Sequence, residues 1–456
     1  MISYLKKYLA QEKLSGLLGI LMLASWLSAV VYYTLPRWLH TDSAYTLFRL
    51  LNKEALVYDR FTNYLQLAPA VLAVKMALPA NVVMHLVNIT LPLFFVAAWF
   101  FTQRISTHKA LVFPLMLWLS GPEMLFIGYS EIHMAVLCCS LFWFLSTQAN
   151  PPKWALFVTS LGAFMAHPAA LMLMGGTLLA VWISSNESKK WRDLILINIS
   201  AAFLQYLISP ATNNYDSGLL EKIKTPSGWL HITSHYSWDY LCANLSGWMW
   251  PLIAMFVTLA VIGFKQVKPL KTILGLAYIV ICCLMLVVVY QSGDATVMMQ
   301  KFFYPVLVVA ALLFFSHNSY AKLVHTYTAV FWLSGIVFFL LHGNGYFYRQ
   351  RAKEVAFQSK QYTKDGYQKV IVNHYNEAIG TPWALPYESM CIAAIEKQPT
   401  VSIRYSENGR LKPDSMAVGD TLYLGATFMP PFHVKTLNSV YFKLDEKPYF
   451  IDSFKM

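Results

Sequence analysis

Residues 272–293 read TILGLAYIVICCLMLVVVYQSG, an apolar run with no Asp, Glu, Lys or Arg. About 20 such residues in an α-helix cross the ~30 Å hydrocarbon core of a bilayer, so this run is a candidate span. Residues 15–35, 80–103, 243–264, 302–321 and 323–348 share the property. Across the 456 residues 57% are hydrophobic and 13% charged, against about 25% charged in a soluble domain. The composition therefore predicts an α-helical polytopic membrane protein. Residues 1–13 are polar and the run after them is long enough to remain as a span, so no cleavable signal peptide is expected.

The formal net charge is +12, and its placement argues against a nucleic-acid partner. Lys6, Lys7 and Lys13 precede the first span, Arg104, His108 and Lys109 follow the second, and Lys189, Lys190 and Arg192, then Lys265, Lys268 and Lys271, mark later loops. Basic residues on alternate loops follow the positive-inside rule, which puts those loops in the cytoplasm. About eleven transmembrane helices result, with the N-terminus inside and the C-terminus outside. Residues 64–78 read as a short interfacial or half-inserted helix interrupted by Lys75. The third span breaks at Ser120-Gly121-Pro122-Glu123, and residues 154–183 bend at Ala166-His167-Pro168 into two short helices.

The outer loops are then 35–66, 128–133, 209–240 and 291–301, and residues 1–348 form the membrane domain. From 349 to 456 the composition turns polar and mixed, which predicts a small C-terminal α+β domain on the outer, periplasmic side of an inner (plasma) membrane. A helix is expected to start near Arg351 and another near 367–379; the alternation at 401–405, 421–424 and 440–444 predicts strands. Of six cysteines, Cys138-Cys139 and Cys282-Cys283 lie in apolar runs, while Cys242 and Cys391 could meet on the outer side.

Ionisable groups at the membrane are costly and usually functional, so the outer-face charges are the candidate site. Asp42, just past the first span, is placed to act as a general base, or to cap a helix beginning at Ser43. Asp59-Arg60 offers a guanidinium fork for a phosphate, steadied by its neighbour, or a surface ion pair. Glu131 and His133, with Glu123 about two helical turns earlier, could hold a divalent cation (Mg or Mn) or meet a phosphate. His167 stands at a bend, as a phosphate ligand or a structural residue. Asp294 and Lys301 flank the mouth of a later span, where Lys301 would meet a lipid-linked phosphate or snorkel. Trp229, Tyr236, Trp238 and Tyr240 read as an interfacial belt, or as a lid over the site. No Gly-x-Ser-x-Gly, Walker, dinucleotide or His-Glu-x-x-His motif occurs.

This layout resembles the GT-C superfamily of integral-membrane glycosyltransferases, of the protein mannosyltransferase and aminoarabinose transferase type. Asp42 matches that family's acidic residue after the first span. Glu131 in GYSEIH resembles its second-loop acid, and Lys301 in KFFYP its later cation beside aromatics and Pro. Asp42 is not followed by Glu, and the second loop lacks Asp-x-Asp. The resemblance implies transfer of a sugar from a polyprenyl-phosphate-linked donor to a hydroxyl of an acceptor glycan, lipid or protein at the outer face. The alternative from another class is a transporter or flippase of a lipid-linked or anionic solute. That class favours midplane charges and a repeat relating two halves, and neither is visible here.

Overall fold

The computed structural model describes residues 2–54, 60–184, 188–208, 221–265, 269–291, 296–317, 321–341, 345–372, 382–405, 421–425 and 431–452. Most of the described chain is helical. Among the described residues six helices are long and apolar enough to cross a membrane: Glu12–Tyr32, Ala80–Gln103, Lys190–Ile208, Pro269–Val289, Met298–Ser316 and Leu323–Leu341. Shorter apolar helices, Thr107–Leu119, Glu131–Ser146, Ala170–Ser184 and Trp250–Lys265, lie between them. Met298–Ser316 is the central one, with 89% of its apolar window buried against 17% for Lys190–Ile208 at the perimeter.

Close approach to that central helix depends on a small residue. A Cβ added at Gly176, on Ala170–Ser184, would lie 2.6 Å from both γ-carbons of Val309. Small residues at such contacts let helix backbones meet where lipid supplies no hydrophobic drive. Gly176→Ala is therefore expected to destabilise the bundle by about 1–3 kcal/mol through overpacking. It should appear as a lower unfolding midpoint of the detergent-purified protein; an unchanged midpoint would mean the two helices part freely.

Residues 35–66 contain more helix than loop. Thr34–Trp38 and Thr41–Leu51 follow the first span, and Asn63–Lys75 forms the expected short helix before Ala80–Gln103. Asn88 secures the break after the first span. Its Nδ2 donates to the Val30 carbonyl and to Thr34 Oγ1, both at 2.9 Å. Its Oδ1 accepts from Arg37 Nε at 2.9 Å and Trp38 Nε1 at 3.1 Å. One buried amide thus satisfies the polar groups that a helix break exposes in an apolar setting.

After the last span, the helix Tyr346–Lys364 leads into β1 (Lys369–Val372), which pairs in parallel with β2 (Ser402–Tyr405) and β5 (Phe450–Asp452). A two-stranded antiparallel piece joins β3 (Leu422–Tyr423) to β4 (Phe432–His433). Two expectations fail here. The helix expected near 367–379 begins as β1, because all four of its residues are buried as the central strand of the sheet; residues 373–380 lie outside the described set. The alternation at 440–444 is a turn, in which Tyr441 and Phe442 donate back to the Asn438 carbonyl. Asn438 Nδ2 in turn reaches the Leu51 carbonyl at 2.7 Å.

The C-terminal part shares its core with the start of the chain. One apolar cluster runs from Trp38, Leu47, Phe48 and Leu51 through Val83 and Met84 to Met390, Val401 and Ile403. The helix Leu385–Ile395 packs directly on Thr41–Leu51. Cys391 lies in this core, its Sγ 3.7 Å from the Ala44 carbonyl, and both Cys391 and Cys242 are free thiols, so the possible pairing is not formed.

Candidate functional site

A cavity of about 560 Å³ has Asp42, Arg60, His167 and Lys301 among its lining residues. The rest of its wall is mostly apolar and includes Leu171, Met172, Ile281, Met285, Leu286 and Val289. Leu171 is 61% and Ile281 51% exposed, so this wall reaches the perimeter of the helix bundle. The cavity thus combines a carboxylate and cationic side chains with a mostly apolar wall that reaches the bundle's perimeter.

Asp42 lies in the first turn of Thr41–Leu51, whose N-cap is His40. It is not the cap of a helix starting at Ser43, as the sequence allowed. Its Oδ2 is 3.9 Å from Lys301 Nζ; the Asp42 side chain is 45% exposed and that of Lys301 14%. Thr41 carries a left-handed φ of 37°. For a β-branched residue this conformation costs of order 1–3 kcal/mol, and it persists only where the surroundings enforce it. Here Glu388 Oε1 accepts the Thr41 N–H at 3.0 Å. Glu388 is itself gripped by Arg351 Nε, at 3.1 and 3.0 Å to its two oxygens, and by Nη2 at 2.8 Å, with both side chains fully buried. His40 is pushed down to about 3 by burial and by the Arg351 cation, so its ring is neutral beside the Thr41 hydroxyl at 3.0 Å.

Arg60 forms an ion pair with Glu131, and Tyr129 donates to the other Glu131 oxygen at 3.3 Å. Glu131 opens the helix Glu131–Ser146, and its neighbourhood is tied to the Asp42 helix by a 2.9 Å bond from Gly128 N–H to Ser43 Oγ. Gly128 is required there: a Cβ would fall 2.6 Å from the Trp38 ring.

His167 sits in the turn between Lys153–Phe164 and Ala170–Ser184, where the bend was expected. Carbonyls left over at the end of the first helix need donors. Thr62 Oγ1 supplies Gly162 at 2.7 Å and Asn63 Nδ2 supplies Ala166 at 2.9 Å, which binds the His167 turn to the segment carrying Arg60. Burial, with the Arg60 and Lys301 cations, holds His167 well below its ordinary pKa, so the ring is neutral. Nδ1 accepts the Ala169 N–H at 3.0 Å, which leaves the proton on Nε2 as a donor. Lys301 lies on Thr296–His317, where Pro305 cannot supply the N–H that would close on the Lys301 carbonyl.

Asp42, Arg60, His167 and Lys301 are therefore brought together, with Glu131 behind Arg60. Two candidates stand apart. His133 is buried with its ring centroid 5.1 Å from that of Tyr304, and Glu123 accepts the Tyr348 hydroxyl at 2.9 Å; neither is among the residues lining the cavity. Asp59 and Asp294 lie outside the described residues. Among the described residues no three His, Cys, Asp or Glu side chains gather as a metal group. From the 209–240 segment, Ile223 reaches the cavity wall, while Tyr240 is buried and accepts from Trp248 Nε1 at 3.2 Å.

Sequence reasoning passed over Arg351, Glu388 and Arg37. Arg37 is buried, and its Nη1 has no partner among the described residues. A charged residue within LPRWLH at the end of a span was the available signal for it. Compared with protein-family models, curated proteins and solved structures, the chain matches none.

Proposed function

We propose that the chain is an integral-membrane glycosyltransferase of GT-C type, taking a sugar from a polyprenyl-phosphate-linked donor. The observation that carries this reading is the cavity: a carboxylate and two cations share it with an apolar wall that reaches the bundle's perimeter. A lipid phosphate fits such a shape, with its head at Lys301 and Arg60 and its tail along Leu171 and Ile281.

In this mechanism Asp42 takes the proton of the acceptor hydroxyl as that oxygen attacks the anomeric carbon. The bond from that carbon to the phosphate oxygen breaks, its electron pair leaves with polyprenyl phosphate, and the configuration inverts. Lys301, Arg60 and the Nε2–H of His167 stabilise the phosphate as negative charge develops on it. Asp42 and Lys301 serve opposite faces of the reacting carbon, so substrate entry divides their 3.9 Å contact. Glu131 is paired with Arg60; a divalent cation, Mg or Mn, held there would add its charge to that of Lys301 and Arg60, and the scheme assigns the neutralisation to the protein's own cations.

The topology that accompanies the reading has about eleven crossings, made by the six long helices, the four shorter ones and Lys153–Phe164. Asp42, Glu131, His167, Lys301 and the C-terminal part then share the periplasmic face of an inner membrane. The acceptor is a glycan, lipid or protein presented at that face.

The test uses the product side, which is common to all sugars. A short-chain polyprenyl phosphate should bind the purified protein in nanodiscs, detected by native mass spectrometry. Lys301→Gln should weaken it about 10–100-fold, the worth of one hydrogen bond to a charged group. No binding, or binding indifferent to Lys301→Gln, overturns the reading.

A further inference from the structure

A second cavity, of about 310 Å³, lies at the end of the first span and shares no lining residue with the first. Tyr32, Tyr33, Leu35 and Pro36 form one side, and one face of the helix Tyr346–Lys364 forms the other, with Arg349 and Lys353. The two cations are four residues apart, one turn along the same face, where like charges repel unless an anion lies between them. Glu396 also lines the cavity, but its carboxylate is paired with Lys360 at 3.0 Å. The Arg349 Nε–H is buried and has no acceptor among the described residues. The guanidinium carbon stands 6.0 Å above the Tyr33 ring.

The position of the cavity limits what could fill it. The span Glu12–Tyr32 ends at its rim, with Val31 57% and Tyr32 72% exposed, as expected of residues at the headgroup level of a bilayer. An anion arriving there comes with apolar neighbours, and Leu35 and Pro36 offer an apolar floor beside the cations. We infer that this cavity binds the phosphate of an anionic membrane phospholipid, which fills the seam between the first span and the C-terminal part. Arg349 and Lys353 take the phosphate oxygens, Arg349 by its planar fork and Lys353 as a point charge. The two tyrosines flank the headgroup.

The experiment compares the full-length protein in nanodiscs of phosphatidylcholine alone and with phosphatidylglycerol added. Native mass spectrometry counts the lipid retained, and thermal unfolding reads its effect. The wild type should retain phosphatidylglycerol and unfold at a higher temperature when it is present. The Arg349→Gln/Lys353→Gln double variant should retain it about ten-fold less and lose the increment, while unfolding in phosphatidylcholine as the wild type does. Should the double variant fail to fold, Lys353→Glu alone, at an exposed side chain, should weaken retention in the same direction. Retention unchanged by Lys353→Glu or by the double variant overturns the inference. So does full replacement of the lipid's effect by soluble glycerol phosphate, which would make the site one for a free phosphate. Lys301→Gln should leave this lipid bound, so a failure here is separable from a failure of the transferase reading.

Discussion

Asp42→Asn is expected to stop turnover of a polyprenyl-phosphate-linked sugar, read as release of polyprenyl phosphate, while leaving binding of that phosphate intact. A positioned general base contributes about 10²–10⁴-fold, and an amide cannot accept the acceptor's proton. The substitution is otherwise mild. The side chain is half-exposed, in the first turn of Thr41–Leu51, where an acidic group is worth about 0.3–1 kcal/mol through the helix dipole. Removing the carboxylate also frees Lys301 from its 3.9 Å contact, so product phosphate should bind as tightly or more tightly. This split between turnover and binding separates the proposed transferase from the transporter alternative. The alternative, a transporter or flippase, moves its solute without removing a proton from an acceptor hydroxyl, and releases no polyprenyl phosphate from a lipid-linked sugar in either form. Wild-type turnover in Asp42→Asn would falsify the proposed mechanism.

The parts of this arrangement that were legible in the sequence are those where a single residue type breaks a strong local pattern. Asp42, Arg60, His167 and Lys301 are polar groups beside long apolar runs, and Pro168 marks the bend that carries His167. Such signals need no partner to be read. The remainder depends on contacts across hundreds of residues. Thr41 has a left-handed backbone and its N–H is accepted by Glu388, 347 positions away; nothing in the local sequence calls for either. The alternation at 440–444 is genuine, but it serves a turn in which Phe442 is buried in the shared core and the Tyr441 hydroxyl reaches the Leu78 carbonyl at 2.6 Å. A shared cation or phosphate for Glu131 and His133 requires the loop that the sequence suggests over 128–133, in which both side chains can face one centre. In the first turn of a helix, residues two apart point in divergent directions, and the two side chains part company.

The buried Arg351–Glu388 pair should show a large stability effect, and it bears on Asp42 as well. Replacing either partner alone by Ala leaves an uncompensated charge at a site with no exposure, so Glu388→Ala or Arg351→Ala should cost about 3–5 kcal/mol. Expression and unfolding midpoint would register the loss. Arg351→Met combined with Glu388→Leu removes both charges together and should regain most of that stability, because a buried pair is often no better than a well-packed apolar one. The double variant still lacks the acceptor for the Thr41 N–H. Thr41 is then free to leave its strained φ, and Asp42, the next residue, moves with it. The expected result is a folded protein that binds polyprenyl phosphate normally and turns over the lipid-linked sugar slowly. Thr41→Gly in the same background removes the penalty for positive φ and should restore part of the turnover without changing phosphate affinity. If the double variant is as active as the wild type, the Glu388 contact serves only to anchor the C-terminal part on the Thr41–Leu51 helix, and Asp42 is held by that packing alone.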